Sequence, residues 1–217
     1  SQLRTNGITT AWIVKAMGEL PRENFLPSGK EAFAYLDRSV PLGNGRMLNP
    51  PLATAEMLQV AEVSENDNVL LIGAGTGYLA ALLSGRVTKL VAVESDAELA
   101  AAARANVAGL DVIDGRAITC VADVSDSKQV RKMGETAARE LGTIDILINC
   151  AGLQYVSSLE KFPLEHWDRL LNVMLRGSFL CTQQFLPGMM SKRWGRIVNI
   201  ASIHSVVASK FKAAYVS

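Results

Sequence analysis

Three short stretches of the 217-residue chain carry residue types and spacings that could do chemistry. The first is GAGTGY, residues 73–78, which sets Gly73, Gly75 and Gly77 in alternation directly after the apolar run NVLLI. Glycine lets a backbone turn sharply and approach a ligand closely. Glu94 lies 21 residues after Gly73 and closes a second apolar run, KLVAV. A carboxylate placed there can accept hydrogen bonds from both hydroxyls of a ribose. The second stretch is INCAG, residues 148–152, a turn at the end of another apolar run. The third ends the chain: Ser202 and Tyr215 stand thirteen residues apart, half of a proton-transfer device. A tyrosine with a pKa of about 10 is a poor base at neutral pH. A nearby ammonium would favour its phenolate. A lysine four residues after Tyr215 would fall at position 219, beyond the last residue, 217.

The elements that must position these residues follow from pattern. NVLLIG, KLVAVES, RAITCVADV, TIDILINCAG and GRIVNIAS are short continuous apolar runs, as expected of parallel strands buried on both faces. Between them lie helical stretches: YLAALLSG, the alanine-rich DAELAAAARANVAG, SDSKQVRKMGETAAREL, and a long helix over 163–190. Strand and helix alternate, which predicts an α/β fold: a doubly wound, parallel, Rossmann-like sheet with strand order 3-2-1-4-5. Residues 1–65 read as an N-terminal helical cap, with helices in ITTAWIVKAMGEL and in LATAEMLQVAEV. Pro50 and Pro51 open the second of these, since proline suits a first turn. LDRSVPLGNGRMLNPP between them is turn-rich and is predicted as a loop.

Composition narrows the function classes. The net charge of +1 gives no electrostatic support to nucleic-acid or membrane-surface binding. No apolar run approaches the roughly 18 residues of a membrane span, and SQLRTNGITT does not read as a signal peptide. Cys120, Cys150 and Cys181 lack CxxC spacing and read as reduced thiols of a cytoplasmic protein. His166 and His204 have no ligand cluster beside them, so no metal site is expected.

Up to about residue 112 the chain resembles the protein-L-isoaspartate O-methyltransferase family. The likeness rests on QLRTNGITTAWIVKAM, PRENFLP, AYLDRSVPLGNGRMLNPPLATAEMLQ, VLLIGAGTGYLAALLS and VAVESDAELAAAARANV. It implies S-adenosylmethionine as cofactor, held by Gly73, Gly75, Gly77 and Glu94. The family usually has a serine before its second cap helix. This chain reads MLNPP there, with no serine or threonine between Leu42 and Ala53.

From about residue 113 the chain instead resembles the short-chain dehydrogenases/reductases, near the 3-hydroxybutyrate dehydrogenase branch. RAITCVADV, INCAG, NVMLRGSFLCTQQFLPGM and GRIVNIASIHSVVASKFKAAYVS carry this likeness. It implies NAD or NADP, with Asp123 and Val124 at the adenine and Asn149, Ala151 and Gly152 in the cofactor turn. It makes Ser202 the group that polarises the substrate and Tyr215 the group that exchanges the proton. Met174 stands where that family carries asparagine, and IGAGTGYLAA replaces its TGxxxGIG.

The expectation is therefore a chimera: a cap over 1–65, a Rossmann-like domain over 66–217, and a family junction near 109–116. The leading function is S-adenosylmethionine binding of methyltransferase type, without secure turnover on isoaspartyl peptides. An NAD(P)-dependent oxidoreductase with an incomplete Ser-Tyr-Lys site stays open, as does an inactive engineered chimera. In both of these, Ser202 and Tyr215 lack their lysine, and the pair reads as inherited structure. Glu94 as a solvated strand end, with glycines that only permit close packing, is the plain alternative for the first stretch. A fifth strand left at a sheet edge, and an apolar face on the long helix, predict a homo-oligomer.

Overall fold

The computed structural model describes residues 2–108, 116–202, 207 and 209–216. Residues 109–115 of the junction expected near 109–116, and His204, lie outside the described residues.

Five parallel strands form the central sheet: β3 (Asn68–Ile72), β4 (Lys89–Glu94), β5 (Arg116–Val121), β6 (Ile146–Asn149) and β7 (Arg196–Asn199). Their order across the sheet is β5-β4-β3-β6-β7. Successive side chains of a strand point to opposite faces, and both faces here are covered. Val69 and Leu71 pack with the cap residues Ile8, Ile13, Met17 and Phe25. Leu70 and Ile72 pack on the other face with Val130, Met133 and Phe185. That is why the strands read as unbroken apolar runs rather than alternating ones.

The two halves distinguished by sequence share this one sheet. β3 pairs β6 in parallel, with Val69 opposite Ile146 and Ile72 opposite Asn149. Asp145, from the second half, ties the lower end of that seam. It accepts from Asn68 N at 3.0 Å, its own N–H donates to Asn68 O at 2.9 Å, and its carboxylate pairs with Lys192. Arg196 on β7 pairs with Glu62 at the end of the second long cap helix, so the cap is bound to the far strand as well.

Helices follow the strands. α4 (Tyr78–Ser84) and α5 (Ala97–Ala108) lie on the cap side, and α6 (Ser127–Leu141) opposite. α6 starts sharply because the Asp126 side chain accepts from Lys128 N at 2.8 Å. Its buried residues Val130, Met133, Ala137 and Leu141 recur at helical spacing.

The cap contains α1 (Gln2–Thr5), α2 (Ala11–Glu19), 3₁₀ turns at Arg22–Phe25 and Glu31–Phe33, and α3 (Pro51–Ala61). The segment predicted as a loop holds a hairpin instead, β1 (Val40–Gly43) with β2 (Arg46–Leu48). Asn44 and Gly45 both adopt positive φ, 49° and 74°. Asn-Gly is the pair that a two-residue hairpin turn of this hand demands.

The long helix predicted over 163–190 is α7 (Leu164–Leu171), a π turn (Asn172–Arg176) and α8 (Gly177–Lys192) in direct succession. A π turn adds a residue to the winding and often marks a functional region. Met174 lies within it. α9 (Ala213–Val216) carries Tyr215.

Candidate functional site

The glycine turn bends β3 into α4 through three left-handed residues, Gly73 (φ 84°), Gly75 (φ 56°) and Gly77 (φ 94°). Gly73 has a packing reason as well. A Cβ there would lie 2.6 Å from the Ala151 backbone, so this turn rests directly on the INCAG turn of the second half.

Glu94, at the end of β4, is 4% exposed and therefore is not a solvated strand end. Its Oε1 accepts from Ser95 N at 2.8 Å and Asp96 N at 3.1 Å. Its Oε2 accepts from Gly75 N at 2.9 Å. A carboxylate oxygen has room for about two donors, so Oε2 keeps an acceptor site. Arg46, on the hairpin, brings Nη2 to 3.5 Å from Glu94 Oε1 and donates from Nη1 to Gly152 O at 3.4 Å. It spans the gap between Glu94 and the INCAG turn.

Glu94 and Asp123 come together at one small cavity of about 30 Å³, whose wall includes Arg46, Gly73, Val124 and Ala151. Asp123 accepts from Ser125 N at 2.9 Å and Ser125 Oγ at 2.7 Å. Val124 is buried against Gly177. Asn149 donates from Nδ2 to Asn199 Oδ1 at 2.8 Å, holding the ends of β6 and β7 together. Its own Oδ1, also buried, has no partner among the described residues.

A wide cleft of about 610 Å³ adjoins these turns. Ser202, Tyr215 and Met174 line it from the second half; Met47, Asn49 and Pro50 line it from the cap. Lys212 lines it too, with Nζ 5.8 Å from the Tyr215 ring centre. Asn49 donates from Nδ2 to Cys150 Sγ at 3.2 Å across the family boundary. Burial pushes the Cys150 thiol up to about 11. Gln154 N donates to Gly45 O at 3.2 Å, which docks the hairpin on the segment after INCAG. The hairpin thus roofs a cleft whose floor comes from the other half.

The cap also closes the far side of the glycine turn. Thr76 Oγ1 donates to Phe25 O at 2.6 Å, and the Phe25 ring meets Tyr78 edge-on at 5.3 Å. Leu42 covers Gly75, lying 3.1 Å from where a Cβ would be. Thr76 and Tyr78 are buried as a result.

Residues 67–217 match the short chain dehydrogenase family, and residues 1–129 match protein-L-isoaspartate(D-aspartate) O-methyltransferase. The chain belongs to both families. It is a chimera-like fusion of the two, and its matches overlap on the shared first half of the sheet.

Among curated relatives, the chain is 44% identical over 111 residues to a D-beta-hydroxybutyrate dehydrogenase of Rhizobium meliloti, covering 51% of this chain and 42% of that protein. It is 39% identical over 119 residues to a protein-L-isoaspartate O-methyltransferase of Methanoculleus marisnigri, covering 52% and 54%. The chain therefore spans about half the length, or less, of the relatives it matches. Among solved structures, NAD⁺-bound xylitol dehydrogenase superposes with a TM-score of 0.62 at 26% identity, covering 70% of this chain and 59% of that one. Levodione reductase gives 0.62 at 30% identity, covering 70% and 60%.

Arg46, Asn49 and Lys212 are site residues that sequence reasoning passed over. The Asn44-Gly45 turn was the available signal for the first two, since it fixes a hairpin that turns this segment back over the site. Among the described residues no cluster of His, Cys, Asp and Glu is arranged to hold a metal ion, and no helix is long and apolar enough to cross a membrane.

Proposed function

We propose that the chain binds S-adenosylmethionine, with Gly73, Gly75, Gly77 and Glu94 as its cofactor turn and residues 1–65 as the cap that closes it. The observation that carries this reading is the closure over the turn by Phe25 and Leu42. A dinucleotide needs open space at the helix N-terminus after the glycines, because its pyrophosphate rests there. S-adenosylmethionine has no pyrophosphate and needs only the inner side of the turn. Glu94 Oε2 has acceptor capacity left for a ribose hydroxyl. Asp123 and Val124 border the same cavity and would face the adenine. The cofactor would supply an activated methyl group, and the 610 Å³ cleft is where an acceptor would meet it. The cavity of about 30 Å³ beside Glu94 would have to widen, chiefly by movement of Arg46.

A second reading rests on Ser202 and Tyr215. Both line the wide cleft, as a reducing site for a carbonyl substrate would require. NAD or NADP would then have to enter beside Ala151 and Gly152 in spite of the closed turn. Titration calorimetry with S-adenosylhomocysteine, NAD⁺ and NADP⁺ separates the readings. Micromolar binding of S-adenosylhomocysteine alone supports the first. Binding of a nicotinamide nucleotide alone overturns it. Binding of neither leaves an inert scaffold.

A further inference from the structure

Arg46 stands where a ligand at Glu94 would have to enter. Its side chain is 12% exposed, with Nη2 at 3.5 Å from Glu94 Oε1. Nη2 also donates to Ser95 Oγ, and Nη1 donates to Gly152 O at 3.4 Å. The inner cavity at Glu94 has a volume of about 30 Å³. That is room for a water or two, not for a nucleoside. Outside it lies a second, polar space of about 310 Å³, with Asn44, Asp96 and Gln129 in its wall. Arg46, Ser95 and Asp123 line both spaces, so the guanidinium sits on the boundary between them.

The main chain that carries Arg46 is held on both sides. Met47 pairs with Pro41 within the hairpin, and Gly45 O accepts from Gln154 N at 3.2 Å. Asn44 Nδ2 donates to Asp96 Oδ2 at 2.9 Å. Opening the inner cavity therefore asks for rotation of one side chain, not for release of the hairpin. That rotation has a destination. Asp96 and Asp123, in the wall of the outer space, offer carboxylates to the charge once it leaves Glu94. Exchanging one carboxylate for another avoids stranding an unpaired cation, which would be costly.

We propose that Arg46 is a latch that blocks the adenosine site from within. Closed, it takes the space at Glu94 that a ribose needs. Open, it turns into the outer space, and the site admits an adenosine group. The observed affinity is then the intrinsic affinity reduced by the fraction of molecules that are open. The latch rests on the reading of Glu94 as the ribose acceptor, and it acts on S-adenosylmethionine and NAD alike.

The test is titration calorimetry of the full chain with adenosine and, in parallel, with S-adenosylhomocysteine. Adenosine is uncharged, so its binding does not report simple attraction to the guanidinium or repulsion from it. Arg46→Ala should bind adenosine at least about tenfold more tightly than wild type. Ser95→Ala removes one anchor of the latch and should gain about threefold. It also keeps the test open if Arg46→Ala does not fold, as read by far-UV circular dichroism. Arg139→Ala removes the same charge from the last turn of α6 and should match wild type. Binding of S-adenosylhomocysteine to wild type, with adenosine affinity unchanged or lower in the folded Arg46 and Ser95 variants, would overturn the latch and leave the cofactor reading standing. Binding of neither ligand to any of these proteins would overturn both.

Discussion

The N–H of Gly75 meets Oε2 of Glu94 at 2.9 Å, so the glycine turn and the acidic end of the next strand form one unit. The same carboxylate also holds Ser95 N and Asp96 N. Glu94→Gln keeps the shape but replaces one acceptor with an amide donor. It leaves at least one of these buried N–H groups facing another donor, at a cost of about 1–3 kcal/mol. The expected result is a lower urea midpoint together with S-adenosylhomocysteine binding weakened by roughly tenfold or more. Undiminished binding in a destabilised protein would make Glu94 a purely structural residue.

Gly73 and Gly29 allow a controlled comparison. Both have positive φ, 84° and 80°, but a Cβ at Gly29 meets open space and one at Gly73 meets backbone at 2.6 Å. Gly29→Ala should cost only the left-handed penalty, about 1–2 kcal/mol. Gly73→Ala must also part the glycine turn from the INCAG turn and should cost several kcal/mol or prevent folding. Chemical denaturation of both variants checks the ranking, and equal losses would mean the turns are not in firm contact.

Much of this architecture was legible because burial writes itself into composition. NVLLI and ILIN read as buried strands because both faces of the sheet are covered, and they pair along the seam between the halves. The hairpin at Val40–Leu48 was missed because its strands are short, carry Pro41 and Gly43, and meet at Asn44-Gly45, residues that look like loop one at a time. The roof over the cleft went unseen with it. Glu94 reads as a ligand contact from its place at a strand end. Its three backbone partners and Arg46 appear only in three dimensions.

The π turn and the helix after it together carry an apolar stripe that points outward. Leu175, Phe179, Leu186 and Met190 are all exposed, and they fall on one face at spacings of four and eleven residues. A two-fold pairing of this face with a second copy would bury the stripe against itself. We expect a dimer by size-exclusion chromatography with light scattering. Phe179→Glu with Met190→Glu should give a monomer that keeps its circular dichroism spectrum. A wild-type monomer at high concentration would remove the case for self-association.

Cys150 links the cleft to alkaline stability. Burial raises its thiol from the ordinary value of 9.0 to about 11, outweighing the Asn49 amide, which favours the thiolate. The folded protein therefore holds this proton more tightly than the unfolded chain. The stabilisation is complete below pH 9 and is lost as pH rises from there through 11. A gap of about two pKa units sets its upper size near 2–3 kcal/mol. Wild type should lose more stability between pH 8 and pH 10.5 than Cys150→Ala does, because lysines and tyrosines titrate in both and cancel. Native Cys150 should also react slowly with iodoacetamide at pH 8, since the thiolate is the nucleophile. Matching urea midpoints for the two proteins at pH 10.5 relative to pH 8, or rapid alkylation of native Cys150, would mean that water reaches this thiol through the cleft and that the hairpin does not close over it.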